Sequence, residues 1–168
     1  MIHNQYNYAK DSRTDQQYQN YFSAGTHNEI PAMQQLIIDR FIQTGQQLKY
    51  THHKDKDFQT EDGSWEYQAD YTVYYDGKSI PTEVKVQMTS LKETIDLKAG
   101  QIDRLIPIKG VVLYATQDRY SLTYAKQIKQ LGQLIRSTRF KDKPVYQVNV
   151  NDLVWEYWVH KPDFNNYR

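Results

Sequence analysis

The chain has 168 residues, no cysteine and a formal net charge of +1 at pH 7. This length favours one hydrophobic core, and the absence of cysteine excludes disulfides and thiolate zinc sites. Residues 1–17 lack the basic start and apolar run of a signal peptide, and no apolar stretch reaches the ~18 residues of a membrane helix. We therefore expect a cytoplasmic protein with no membrane contact.

The N-terminal region divides into an arm and a helix. Residues 1–25 are rich in Asn, Gln, Tyr and Asp without apolar periodicity, which predicts an irregular arm ahead of a single domain at 26–168. Asn28 as a cap and Pro31 in the first turn predict a helix, and Gly45 ends it.

The next region carries the most regular pattern of the chain. Residues 47–53 predict a short strand and 54–64 a polar loop. From 65 to 75, aromatic and small apolar residues alternate with polar ones, which predicts one continuous strand. Asp76 and Gly77 follow, and this dipeptide is typical of a two-residue hairpin turn.

The hairpin turn leads to a geometric expectation about charged residues. The returning strand places Ile80 and Val84 on one face and Glu83 and Lys85 on the other. With Asp76 and Gly77 as the turn, Asp70 lies directly opposite Glu83 unless a bulge near Pro81 shifts the register. Two facing carboxylates, with Cβ atoms ~5 Å apart, are destabilising without a counterion. The same pair suits a hard divalent cation, which prefers oxygen ligands.

The remaining elements complete the fold class. Ser90 to Glu93 has the form of a capping box and predicts a helix to about Ile106. Residues 111–116 predict a strand buried on both faces, Ser121 caps a further predicted helix, and 144–150 predict a last strand. The order helix, three strands, helix, strand, helix, strand predicts an α/β (α+β) fold with helices packed on a sheet.

Asp70, followed thirteen residues later by Glu83-Val84-Lys85, resembles the D…(D/E)xK signature of the PD-(D/E)xK nuclease superfamily. That superfamily includes restriction enzymes, Holliday-junction resolvases and phage exonucleases. Ala69 replaces the proline that often precedes the first carboxylate. The resemblance implies a restriction-endonuclease-like αβββαβ core, with a central mixed sheet flanked by helices.

The resemblance also implies roles for individual residues. Asp70, Glu83 and the carbonyl of Val84 would hold Mg²⁺, for which Mn²⁺ substitutes, and Lys85 would act on the attacking water. Two more residues would support catalysis: Glu29 resembles the extra acid that many members carry on the first helix, and Gln101 a glutamine that some members use beside the site. On residue chemistry alone, Glu29 is equally well explained as an acid in a first helical turn, and the simpler interpretation of Gln101 is a surface residue.

The implied activity is metal-dependent hydrolysis of DNA, with structure-selective cutting by a resolvase-like or phage-encoded homodimer. Residues 85–143 carry twelve basic and five acidic side chains, an imbalance that suits phosphate contacts or an internally paired surface. The residues expected to contact nucleic acid are Lys98, Lys126, Lys129, Arg136 and Arg139. For the last four of these residues, the simpler interpretation is a solvated helix face.

Other interpretations stay open. A non-catalytic DNA-binding or assembly protein would retain the nuclease fold without cutting, and a structural protein would use its aromatic surface for a partner. His52 and His53 are adjacent on a strand and cannot chelate together. Trp155, Tyr157 and Trp158 suit base stacking or, more simply, C-terminal packing or a dimer contact.

Overall fold

The chain folds into helices packed on both faces of a mixed sheet. The computed structural model describes residues 15–53, 57–59, 61–62 and 65–164, with the backbone alone for 15–27, 57–59 and 65–66. In these ranges the helices are α1 (Asp15–Thr44), α2 (Ala99–Leu105) and α3 (Ala125–Leu131). The strands are β1 (Lys49–His52), β2 (Asp57–Gln59), β3 (Trp65–Tyr67), β4 (Tyr71–Tyr75), β5 (Lys78–Val86), β6 (Thr94–Lys98), β7 (Val111–Ala115), β8 (Arg119–Tyr124), β9 (Gln133–Ser137), β10 (Lys143–Asn149) and β11 (Glu156–Tyr157). Short 3₁₀ turns cover Thr138–Phe140 and Val150–Asp152.

The main sheet has six strands in the order β1-β4-β5-β7-β8-β11. Strands β1, β4 and β5 form an antiparallel meander, and β7 then joins β5 in parallel after a crossover through β6 and α2. Strand β8 pairs antiparallel with β7, and β11 pairs antiparallel with β8. A second sheet has the order β6-β10-β9, and β2 pairs with β3. The α/β class and the mixed sheet expected from the sequence are confirmed.

Two apolar clusters cover the two faces of the main sheet. On one face α1 contributes Ala32, Met33 and Leu36, which pack against Tyr71 and Val84. On the other face α2, α3 and the second sheet enclose the residues Ile95, Leu97, Ile102, Leu105, Ile128, Tyr146 and Val148. Strand β7 alternates between both clusters, as a strand buried on both faces must. Burying each large apolar side chain contributes about 1.5–3 kcal/mol.

The hairpin between β4 and β5 has the turn that its sequence predicts. Tyr75 pairs with Lys78, and the register continues to Tyr71 opposite Thr82. Asp76 and Gly77 have φ values of 50° and 71°, and a type I′ turn requires positive φ at both central positions. The turn residues therefore fix the register of the strand that carries Glu83 and Lys85.

The first helix is longer than the sequence predicts. It begins at Asp15, so residues 15–25 are helical rather than irregular, and Asn28 and Pro31 lie inside the helix. An established helix gains one hydrogen bond for each residue it adds, which offsets the modest propensity of an Asn/Gln-rich segment. Its end at Gly45 is confirmed: Gly45 has φ 71°, and its amide donates to the Phe41 carbonyl at 2.8 Å. Residues 1–14 lie outside the described residues.

The prediction of a helix from Ser90 to Ile106 is wrong over the first half of that range. Thr94–Lys98 is strand β6, and only Ala99–Leu105 is helical. Ile95 and Leu97 alternate with Asp96 and are buried when β6 pairs with β10. The partner strand comes from about fifty residues further along the chain, and this tertiary pairing overrides the local capping pattern.

The helix predicted from Ser121 is also mostly strand. Residues Arg119–Tyr124 form β8, the helix covers Ala125–Leu131, and β9 begins at Gln133. Gly132 separates α3 from β9. A Cβ atom on residue 132 would lie 2.9 Å from the Ile128 carbonyl oxygen and 3.0 Å from the Tyr146 Cβ, so the position favours glycine. In the predicted loop 54–64, residues 57–59 form β2. In the described part of the chain, no helix is both long and apolar enough to cross a membrane.

Candidate active site

The strand predicted from 65 to 75 is interrupted at Asp70. Strand β3 ends at Tyr67 and β4 begins at Tyr71. Tyr67 and Ala69 belong to the cluster on the α2 side, whereas Tyr71 belongs to the cluster on the α1 side. The apolar residues therefore change faces at this break, and Asp70 lies in the bend between them.

Asp70 is attached to strand β5 by its side chain. Its carboxylate is only 2% exposed, and the Val84 amide donates to Oδ2 at 2.9 Å. The backbone ladder between β4 and β5 ends at Tyr71 opposite Thr82, so the predicted ladder pair of Asp70 with Glu83 lies beyond the observed register. The Asp70 side chain nevertheless contacts the backbone of the residue that follows Glu83.

Glu83 is the centre of a buried hydrogen-bond network. Its side chain is 1% exposed on β5, near the middle of the main sheet. The Tyr67 hydroxyl donates to Oε2 at 2.8 Å, and Gln101 Nε2 donates to Oε1 at 3.2 Å. Lys85 Nζ lies 3.4 Å from Oε1, and the Lys85 side chain is 30% exposed. Strands β3 and β5 and helix α2 thus meet at one carboxylate.

The structure therefore places the predicted residues Asp70, Glu83, Lys85 and Gln101 together. Two buried carboxylates, Asp70 and Glu83, lie near the same phenol, with the Lys85 ammonium group beside Glu83, and carboxylate oxygens are the ligands that a hard divalent cation prefers. Within the described part of the chain there is no cluster of three or more His, Asp or Glu side chains suited to a metal. Two carboxylates and a backbone oxygen fit Mg²⁺ better than zinc, because Mg²⁺ keeps several waters and takes few protein ligands.

Tyr67 belongs to the site although its place in the sequence pattern assigned it to the apolar side. Burial and the neighbouring Glu83 carboxylate raise the pKa of the Tyr67 hydroxyl well above its usual value, so the hydroxyl keeps its proton and remains a donor to Glu83. Asp70 raises the pKa of Tyr67 as well, which places both carboxylates near this phenol. The face change at Asp70 brings Tyr67 to Glu83, and strict alternation does not predict that change.

Arg104 is a second residue that the sequence pattern did not indicate. Its guanidinium carbon lies 4.7 Å from the centroid of the Tyr67 ring. Arg104 follows Gln101 by three residues on α2, so both side chains share a helix face. Once Gln101 is placed at the site, this spacing is a signal that identifies Arg104.

Glu29 lies on α1, on the opposite side of the sheet from Glu83. It is half-buried, and after burial it is the main charge that raises the pKa of the Tyr71 hydroxyl; Asp70 contributes too. Tyr71 is fully buried in the cluster against α1. The structure thus places Glu29 close to Tyr71, which follows Asp70 directly.

The five predicted nucleic-acid contacts do not share one helix face. Lys126 and Lys129 lie on α3, and Lys129 Nζ forms an ion pair with Asp103 at 3.2 Å. Helix α3 ends before Arg136, which therefore lies on β9. There it donates to the Asp142 carbonyl at 3.2 Å. The other two, Lys98 and Arg139, lie over the same ring, that of Phe140.

The remaining candidates have packing roles. His53 bonds to the Thr72 hydroxyl at 2.7 Å, and His52 stacks on Tyr71. Trp158 is buried, and its Nε1 donates to the Thr116 carbonyl at 2.9 Å. C-terminal packing is therefore confirmed for Trp158, whereas Tyr157 is 68% exposed.

The chain was compared with family models, with curated proteins and with solved structures, and none of these comparisons finds a match.

Proposed function

We propose that this protein is a metal-dependent nuclease that hydrolyses phosphodiester bonds in DNA. One observation carries the proposal: Asp70, in the bend before β4, and Glu83, on β5, are both buried, and Lys85 lies beside Glu83. Buried carboxylates are expensive to maintain unless a partner or a cation compensates for their charge. A fold without a use for them would be more stable with apolar residues there.

The order of elements supports the same proposal. Helix α1 precedes the meander β1-β4-β5, and the crossover through α2 leads to β7, which is parallel to β5. This order is similar to the αβββαβ order that the resemblance implies, with β2 and β3 inserted between β1 and β4 and with β6 inserted ahead of α2. Glu83 and Lys85 lie on β5, the last strand of the meander, where the signature residues are expected.

The roles follow from the positions of the side chains. Asp70, Glu83 and the Val84 carbonyl would hold Mg²⁺, with Mn²⁺ as a substitute. When bound, the ion would polarise a phosphoryl oxygen and lower the pKa of a water. Lys85, whose side chain is part-exposed, orients the attacking water and stabilises negative charge that develops on the phosphate. Tyr67 and Gln101 fix the orientation of Glu83 through hydrogen bonds to its two oxygens.

The test is cleavage of supercoiled, linear and branched DNA in Mg²⁺ or Mn²⁺, with EDTA as the negative control. We expect cleavage that requires the metal and that falls about 10²–10³-fold in Lys85→Ala, as for loss of one group that stabilises the transition state. Lys78→Ala is the matched control, because Lys78 is an exposed lysine on the same strand and should cut like wild type. Preference for branched DNA would support resolvase-like, structure-selective cutting.

Two outcomes contradict the nuclease proposal. One is that no DNA is cut with either metal, and the other is that Lys85→Ala cuts as fast as wild type. Protein that binds DNA tightly but never cuts it would instead support the non-catalytic binding role. Sedimentation of the protein with and without branched DNA tests whether the active form is a homodimer.

A further inference from the structure

The exposed face of α2 carries a basic side chain directly beside the carboxylate site. Gln101 on this face donates to Glu83, and Arg104, one helical turn later, is exposed and lies over the Tyr67 ring. The Tyr67 hydroxyl is 2.8 Å from Glu83 Oε2. Arg104 is thus connected to Glu83 through one side chain, Tyr67.

The guanidinium of Arg104 is held in position from two sides. Its Nε donates to the Gly100 carbonyl at 3.1 Å, and its carbon lies 4.7 Å from the Tyr67 ring centroid. A cation over an aromatic ring at such a distance is attracted by the ring face. The orientation of the planar group is therefore restricted before any ligand arrives, which lowers the entropy cost of binding.

Arg104 also differs from the basic residues that the sequence suggested for phosphate contact. Among the described residues, Arg104 forms no salt bridge. Its Nε has an acceptor, whereas its two terminal amino groups have none within the same residues. Lys129, by contrast, is paired with Asp103, and Arg136 donates to the Asp142 carbonyl. Both lie on elements other than β3, β5 and α2, the three that meet at Glu83.

We propose that Arg104 binds a phosphate of the DNA strand next to the bond that is cut, through its two terminal amino groups. This inference rests on the proposed nuclease function and names the residue that positions the substrate. A guanidinium fork matches two phosphate oxygens in a bidentate arrangement, which fixes the strand in place as well as attracting it. Arg104 is a positioning residue, since Lys85 and the carboxylates remain the groups at the reacting phosphate.

The test is the affinity for labelled duplex and branched DNA, measured by fluorescence anisotropy without divalent metal and again in Ca²⁺. We expect Arg104→Gln to weaken binding about 10-fold or more, as for loss of a charge-assisted contact. Its plot of log affinity against log salt should be shallower by about one unit. Arg40→Gln is the matched control, because Arg40 also lies over an aromatic ring, 5.9 Å from the Tyr120 centroid, but on α1, across the sheet from Glu83. It should change affinity less than about threefold.

A pair of Tyr67 variants tests the support under Arg104. Tyr67→Phe keeps the ring and loses the hydroxyl, so DNA affinity measured without divalent metal should match wild type. Tyr67→Leu loses the ring as well, so affinity should fall toward that of Arg104→Gln. Near-wild-type thermal midpoints of the Arg104 and Arg40 variants would exclude misfolding as the cause of weaker binding.

Failure of this inference and failure of the nuclease proposal can be told apart. If wild type cuts DNA but Arg104→Gln binds as tightly as wild type, Arg104 has no phosphate contact and the nuclease proposal stands. If wild type binds DNA without cutting it and Arg104→Gln weakens binding, the phosphate contact stands and the nuclease proposal fails. Equal weakening by Arg40→Gln would overturn the assignment to Arg104, as would a wild type that binds no DNA.

Discussion

The two faces of the β4–β5 hairpin have opposite characters. Toward α1 the strands present Tyr71, Val73 and Val84, which pack with Met33 and Leu36. Toward α2 strand β5 presents Glu83 and Lys85, in contact with Tyr67 and Gln101. The same alternation of side chains that buries the apolar face therefore collects the charged groups on the other.

The comparison indicates how the protein can hold two buried carboxylates. The apolar face supplies burial energy, whereas the charged face places Asp70 and Glu83 out of water, at a cost that hydrogen bonds reduce. A groove of about 310 Å³, open to solvent, lies between α1 and the sheet and is lined by residues that include Leu36, Val73 and Ile80. We expect substitutions on the two faces to separate activity from stability.

The largest expected effect is on cleavage, from Glu83→Gln. Losing one carboxylate should reduce DNA cleavage about 10²–10³-fold, while the thermal midpoint stays unchanged or rises, because a buried charge has been removed. Cleavage rates and thermal unfolding of the same preparation measure both effects. Cleavage at the wild-type rate, or a large loss of stability, would show that the two faces are not separated in this way.

On the opposite face, Met33→Ala should act on stability alone. Met33 is fully buried between α1 and the sheet, and truncating such a residue costs about 2–5 kcal/mol of unfolding free energy. Urea unfolding measures the loss, and Gln34→Ala, an exposed neighbour on α1, should stay within about 0.5 kcal/mol of wild type. If Met33→Ala changed the affinity of the Asp70–Glu83 site for Mn²⁺, the expected separation of activity from stability would be contradicted.

Alkaline pH should destabilise both faces through their buried tyrosines. Burial is the main cause that raises the pKa values of Tyr71 and Tyr120 on the α1 side and of Tyr67 on the other. The unfolded chain releases these protons near pH 10 and the folded chain keeps them, so the stabilisation is complete below pH 10 and is lost as pH rises. Each tyrosine contributes a slope of up to about 1.4 kcal/mol per pH unit.

Urea unfolding at pH values from 8 to about 11 checks that slope. Removing one titrating hydroxyl by Tyr120→Phe should make the decline shallower, whereas Tyr157→Phe, at an exposed side chain, should leave it unchanged. Stability that does not decline above pH 10 would contradict the expected retention of these protons.

The smallest expected effect is a gain in stability from Tyr71→Phe. The Tyr71 hydroxyl is buried and has no hydrogen-bond partner among the described atoms, and such a group costs on the order of 1 kcal/mol. Tyr120 is the matched case, because its ring is equally buried but its hydroxyl donates to Glu156 at 2.8 Å. Chemical unfolding should show that Tyr71→Phe stabilises and Tyr120→Phe destabilises, and the reverse order would contradict the assignment of these partners.

The sequence by itself determined the hairpin and the side of β5 that carries Glu83 and Lys85. Both depend on local chemistry: Asp76-Gly77 adopts positive φ at little cost, and a strand alternates its side chains between two faces. It also determined the end of α1 at Gly45 and the buried strand β7.

Only the tertiary structure decided where helices gave way to strands and where the chain changed faces. Strand β6 depends on β10, its partner from about fifty residues further along the chain, and a window of local sequence does not contain that partner. The face change at Asp70 is similar, because a hydrogen bond from Val84 on the neighbouring strand accompanies the bend. That bend brings Tyr67, and with it Arg104, to Glu83. Nearby residues fix turn geometry and alternation, whereas the contacts around Glu83 depend on elements that meet only in the folded chain.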